Sequence, residues 1–167
     1  MDDDDRLAAL EARIAALEAA IATAPPPPPA PALDPDAFWA LEGLHARTGG
    51  AGAVMIVGEV VAPGGTEARW QEGVGADELL AEDWGRAADL LAALGHPVRL
   101  ALLRHVLHGQ ATARELQAID GMGTSGQVYH HLRHLTATGW LRSLRGRYEV
   151  PPERVVPLLA AVLGGRR

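Results

Sequence analysis

The sequence predicts a mainly α-helical chain with small β-hairpins, an α+β protein, on three observations. Apolar residues recur at helical spacing through much of its 167 residues. Two Thr-x-x-Glu/Gln signatures mark helix starts in close succession. Two strand-like stretches fold back across Gly-containing turns. Composition narrows the class: 48% hydrophobic and 22% charged residues suit a folded domain. The absence of Cys excludes a disulfide framework, a thiolate nucleophile and a thiolate metal site. No apolar run approaches the roughly 20 residues of a membrane helix. The start, Met1-Asp2-Asp3-Asp4-Asp5, is the reverse of a basic secretory leader, so a cytoplasmic location with no membrane partner is expected.

The net charge of −6 hides a split. Residues 1–95 carry five Arg against 17 acids, whereas residues 96–167 carry ten Arg against four acids. All 15 basic residues are Arg, a usage that GC-rich coding explains, so the informative feature is their uneven placement. A basic half in an acidic protein is the pattern expected of a nucleic-acid footprint, with chance unevenness of charge as the competing reading.

Four segments follow in order. Residues 1–23 read as a short coiled coil, with Leu7, Ile14 and Ile21 at a and Leu10 and Leu17 at d. Arg6 and Arg13 fall at g and Glu11 and Glu18 at e, so opposite charges pair across a parallel dimer. A lone amphipathic helix is the competing reading, but pattern and charge agree on self-association, which could extend a dimer to a tetramer. Residues 24–35, with Pro25–Pro29 and Pro31, are a stiff polyproline spacer. Residues 36–82 predict a helix over Asp36–Arg47 and a hairpin, with strands at Val54–Val61 and Ala68–Gln71 around Pro63-Gly64-Gly65-Thr66. Trp70 is its candidate anchor; the hairpin is either an effector pocket or a packing element, and packing is favoured.

Residues 83–167 hold the remaining elements. Helices are expected at Asp83–Leu94, closed by Gly95, and from Pro97 to Leu107, closed by Gly109. Thr112-Ala-Arg-Glu115 and Thr124-Ser-Gly-Gln127 are capping boxes separated by the turn Asp120–Gly123. A short helix, a Gly-containing turn and a longer second helix make a helix-turn-helix, whose second helix enters the DNA major groove. Along that helix Val128, His131, Leu132 and Leu135 form the core stripe. Thr124, Ser125, Gln127, Tyr129, His130 and Arg133 are the candidate DNA contacts, with Gln127 also claimed by the cap. Trp140–Leu144 and Arg147–Val150 then predict a wing with Arg145-Gly146 at its turn, so that Arg142, Arg145 and Arg147 offer backbone contacts.

These residues carry a family resemblance. Gly95-His-Pro-Val-Arg-Leu-Ala-Leu-Leu-Arg104, the two capped helices, Val128-Tyr-His-His-Leu-Arg-His-Leu135 and Thr138-Gly-Trp-Leu141 resemble the ArsR-type winged helix-turn-helix regulators over roughly residues 84–163. The resemblance implies a homodimeric transcription factor, most often a repressor released from double-stranded DNA by an effector. It maps Ser125, Gln127, Tyr129, His130 and Arg133 to the DNA-facing helix. It maps Pro152–Leu163 to a final helix that often shares the dimer interface with the first; there Val155, Leu158, Leu159 and Val162 are the candidate contacts. Pro157 is expected to kink that helix or delay its start. The family's metal sensors use a Cys-x-Cys pair or terminal-helix acid and His ligands. Here Glu115-Leu116-Gln117-Ala118 stands at the first place, and Glu153 is the one acid in residues 151–163, so metal sensing is not carried over and no cofactor is expected.

Other motifs fail on context. Gly121-Met-Gly123-Thr-Ser-Gly126 satisfies the dinucleotide pattern, but a helix precedes it and no acid lies about 20 residues on. Gly123-Thr-Ser125 lacks the final Gly of a nucleophile elbow. The His130/His134, His131/His134 and His105/His108 pairs have no carboxylate partner, so metal is set aside and no enzyme constellation remains. The competing class is a protein-interaction or scaffold module that keeps the winged helix and coiled coil without binding DNA.

Overall fold

The computed structural model describes residues 3–23, 34 and 36–166 of the chain; within the first helix, side chains are described from Arg6 to Glu18. It divides into two units at the Trp39/Ala40 boundary. The first contains α1 (Asp3–Thr23). Leu7, Leu10, Ile14 and Leu17 form an apolar row along it, each more than half exposed. The side chain of Ile21 and, apart from Asp34, the spacer 24–35 lie outside the described residues.

The remaining elements form a mixed α+β unit with two two-stranded antiparallel sheets among the described residues. Helix α2 spans Trp39–Thr48. Its start falls three residues later than the pattern predicts, because Asp36–Phe38 form a turn held by Phe38 N–H donating to Asp34 O at 2.9 Å. Strands β1 (Ala53–Val61) and β2 (Glu67–Gly75) pair from Ala53↔Gly75 to Val61↔Glu67. Both are longer than expected, since the ladder carries on through Gly73 and Gly75, which local propensity alone disfavours. Helix α3 (Ala76–Ala81) follows directly, an element the sequence reading does not contain. Then come α4 (Gly85–Leu94), α5 (Pro97–Leu107), α6 (Ala113–Gln117) and α7 (Ser125–Ala137). The chain ends in β3 (Arg142–Leu144), β4 (Arg147–Glu149) and α8 (Pro152–Gly164).

Pleat alternation assigns the first hairpin's two faces. Gly58 faces Trp70 and Val60 faces Ala68 across the ladder, so these side chains share one face. Helix α8 packs on both strands there. A Cβ at Gly58 would stand 2.7 Å from Val156 Cγ1, so only glycine admits the helix this close. The opposite face carries the exposed Glu59–Arg69 ion pair at 2.7 Å. The hairpin therefore packs within the unit, and α8 spends much of its apolar surface on it.

The core joins the hairpin to the helices through Leu102, Leu103, Leu116, Val128, Leu132, Leu135, Leu141 and Val155, all nearly solvent-free. Trp140 is buried and its indole N–H donates to Leu90 O at 2.9 Å, while the Arg154 guanidinium lies 5.2 Å from its ring centroid. Those contacts hold Trp140 and Leu141 outside the strand that their residue types predict. Helix α8 starts at Pro152 and runs on through Pro157, so the expected delayed start does not occur. No single helix among the described residues is long and apolar enough to cross a membrane.

Candidate nucleic-acid interface

Two capping boxes build the base of the candidate interface. The Thr112 hydroxyl accepts from Glu115 N–H at 3.2 Å, and the Glu115 carboxylate accepts from the N–H groups of Thr112 at 2.8 Å and Ala111 at 3.0 Å. These bonds, those to Thr112 first, hold the Glu115 carboxyl below its ordinary pKa, with the positive charge of Arg147 a smaller contribution. At α7 the Thr124 hydroxyl accepts from Gln127 N–H at 3.4 Å, and Gln127 Oε1 accepts from Thr124 N–H at 2.8 Å. The Gln127 amide oxygen is thus committed to the helix start. Between the boxes, Gly121 (φ +82°) and Gly123 (φ +86°) turn the chain and drop Met122 into the core.

Helix α7 then presents two faces. Val128, Leu132 and Leu135 are solvent-free, anchoring the helix against α5 and α6. His131, the polar member of that stripe, is half-buried, its ring centroid 4.5 Å from that of His96. His131 Nδ1 is buried with no partner. Burial first, then the neighbouring His96, Arg99, His130 and His134, push its pKa down, favouring the neutral ring. His96 Nδ1 meanwhile accepts from Val98 N–H at 3.2 Å and caps α5. On the opposite face Thr124, Ser125, Gly126, Tyr129, His130 and Arg133 are exposed.

The wing is tied to this base. Tyr148 N–H donates to Ala111 O at 2.6 Å, and Thr112 bridges Arg147, so β4 is fixed beside the first capping box. Arg145 (φ +51°) and Gly146 (φ +78°) form a two-residue turn with both central residues left-handed, the geometry that suits a tight hairpin. The register pairs Arg142 with Glu149, Ser143 with Tyr148 and Leu144 with Arg147. Ser143 and Tyr148 therefore occupy one face, and Arg142, Leu144, Arg147 and Glu149 the other.

The structure brings some expected site residues together and separates others. Tyr129 and Arg133 share a groove of about 410 Å³ with Thr136, Ser143 and Tyr148, so helix and wing form one concave surface. Of the last three, Ser143 and Tyr148 are signalled by their cross-strand pairing about the Arg145-Gly146 turn, whereas Thr136 on α7 carries no such signal. Arg142 is bound to Glu149, which raises its pKa through that hydrogen bond and reduces its freedom to reach a phosphate. Arg133, Arg145 and Arg147 are exposed and make no ion pair among the described residues. The residues mapped to a dimer face also divide: Val155 and Leu158 are buried inside the unit, whereas Leu159 and Val162 remain about 40% exposed (38% and 42%). Burial in the chain's own core removes Val155 and Leu158 from any surface a partner can touch. No cluster of three or more metal-ligating side chains occurs among the described residues.

Comparison with protein-family models, with curated proteins and with solved structures finds no match for this chain.

Proposed function

We propose that this chain is a sequence-specific DNA-binding transcriptional regulator of the winged helix-turn-helix type, acting as a homodimeric repressor of ArsR character. One observation carries the reading: α7 is doubly anchored, by a capping box and a solvent-free stripe, while its first turn stays exposed and Tyr129 and Arg133 further along share a concave surface with the wing. Small residues at Ser125 and Gly126 permit close approach to base edges, and Tyr129, His130 and Arg133 supply donors behind them. Arg145 at the wing turn neutralises phosphate, and Arg147, on the wing face turned away from the α7 groove, adds a second cation flanking it. Arg142 contributes less because Glu149 already holds it.

The exposed Leu7/Leu10/Ile14/Leu17 row favours self-association through α1. In a dimer two α7 helices read half-sites roughly 34–36 Å apart. The acidic N-terminal half repels DNA and trims non-specific affinity; removing residues 1–33 is expected to strengthen non-specific binding at low salt. The reading is tested by fluorescence anisotropy on fragments of the source genome, including the region upstream of the chain's own gene. Selective binding that weakens on Arg133→Ala supports it, and a folded protein that retains no fragment refutes it.

A further inference from the structure

A second concavity lies where the end of β1 meets α5 and α8, with no lining residue in common with the α7–wing groove. It holds about 500 Å³, within the range of about 300–1,000 Å³ for small-molecule sites. Its wall is aliphatic, including Val61, Leu100, Leu103, Leu158, Leu159 and Val162. The fold fixes that wall: Gly64 N–H donates to Leu107 O at 2.8 Å, and a Cβ at Gly64 would stand 2.7 Å from Gly109 N. The hairpin loop is thus seated backbone-to-backbone on the end of α5.

Arg104 and His108, one turn apart, are the polar side chains of the lining, which contains no acid. Their neighbour Arg99 is spent on structure, donating to the carbonyls of Ala93 and Ala92 at the end of α4. Arg104, in contrast, makes no side-chain hydrogen bond or ion pair among the described residues. The His108 ring is held in place by Nδ1 donating to Arg104 O at 2.7 Å. An aliphatic trough with one uncommitted guanidinium at its rim matches one kind of guest. We propose that this groove binds an amphipathic monocarboxylate, an alkyl or aryl acid whose apolar body lies on the leucine–valine wall and whose carboxylate takes the Arg104 fork.

This proposal does not rest on DNA binding, and its test contains no DNA. Decanoate and decan-1-ol are titrated into the full-length protein below their aggregation limits, with isothermal calorimetry as the readout. Decanoate is expected to saturate at one per chain and to bind more tightly than the alcohol. Arg104→Gln should weaken decanoate about tenfold or more and leave the alcohol unchanged. Leu159→Trp should fill the trough and remove both; Val162→Trp, at a more exposed position, serves if the first variant melts early. Absence of saturable decanoate binding overturns the proposal, as does an affinity indifferent to Arg104. A Trp variant that turns a dimer into a monomer while leaving decanoate binding intact assigns the face to a second copy and overturns it equally.

Discussion

Gly123 and Gly126 lie three residues apart at the start of α7, and opposite consequences follow from replacing each with alanine. Gly123 sits at φ +86°, and a Cβ there would stand 2.4 Å from Gln127 Oε1. The Gln127 amide can swing away, but doing so surrenders its bond to Thr124 N–H. The left-handed backbone costs about 1–2 kcal/mol with a Cβ present, and the lost cap bond adds about 0.5–1 kcal/mol. Gly123→Ala is therefore expected to destabilise the unit by about 2 kcal/mol, roughly 8 °C in Tm for a unit of this size. Gly126 is helical, exposed and open, with nothing within 4 Å of its Cβ position. Gly126→Ala gains helix propensity and should stabilise by about 0.5 kcal/mol. Urea denaturation followed by circular dichroism reads both differences at equal m. Equal midpoints for the two variants, or a Gly123→Ala loss under about 0.5 kcal/mol, would refute the idea that this turn and cap set the start of α7.

Further outcomes follow from the same contacts. Trp140→Phe removes the indole bond to Leu90 O and weakens the Arg154 contact, so a loss of about 1–2 kcal/mol is expected in urea. Gly58→Ala drives a methyl group into Val156 and should cost about 1–3 kcal/mol; Val156→Ala in the same chain should recover part of that loss, and an additive double variant would contradict the seating of α8 on the hairpin. The lowered His131 pKa means that the unfolded chain binds this proton more readily than the folded one. Stability should therefore fall as pH drops below about 6.5 and level off beneath the folded value, and His131→Leu should flatten urea midpoints between pH 7.5 and 5.0. Glu115 acts in a lower window: its depressed pKa contributes stability above the ordinary carboxylate range that is lost as pH falls through the folded value, so Glu115→Gln should flatten the acid limb alone.

The region from α5 to α8 was largely legible because its punctuation is chemical. Pro97 opens α5, Thr112/Glu115 and Thr124/Gln127 open α6 and α7, and the observed bonds are those the spacing predicts. Strand lengths were less legible. Trp140 and Leu141 look like strand residues, yet the pull of Leu90 and the core keeps them out of β3, and no local pattern encodes that contact. Helix α3 was invisible for a similar reason, since Gly75 gives it no side-chain cap and it has six residues. The apolar run of α8 could be read as a subunit face or as core. Its apolar spacing marks Val155 and Leu158 for burial without naming what covers them, and the chain's own core does so, with the neighbouring Val156 seated on Gly58 of the hairpin. The wing arginines are equivalent in sequence, and only the strand register, which pairs Arg142 with Glu149, distinguishes them.

The central claim is that α7 and the wing read DNA, and its salt dependence tests it most directly. Arg133, Arg145 and Arg147 make no ion pair among the described residues, although Arg147 lies near enough to Glu115 to lower its pKa, and a dimer would carry six such cations. Six phosphate contacts predict that log K falls with log salt at a slope of about −5, or roughly a thousandfold between 50 and 200 mM. Anisotropy on the selected fragment should show that slope, reduced by about 2 in Arg147→Ala as two contacts are lost from the dimer. A folded protein that selects no fragment at low salt, or whose slope is unmoved by removing these arginines, would contradict DNA reading by this surface.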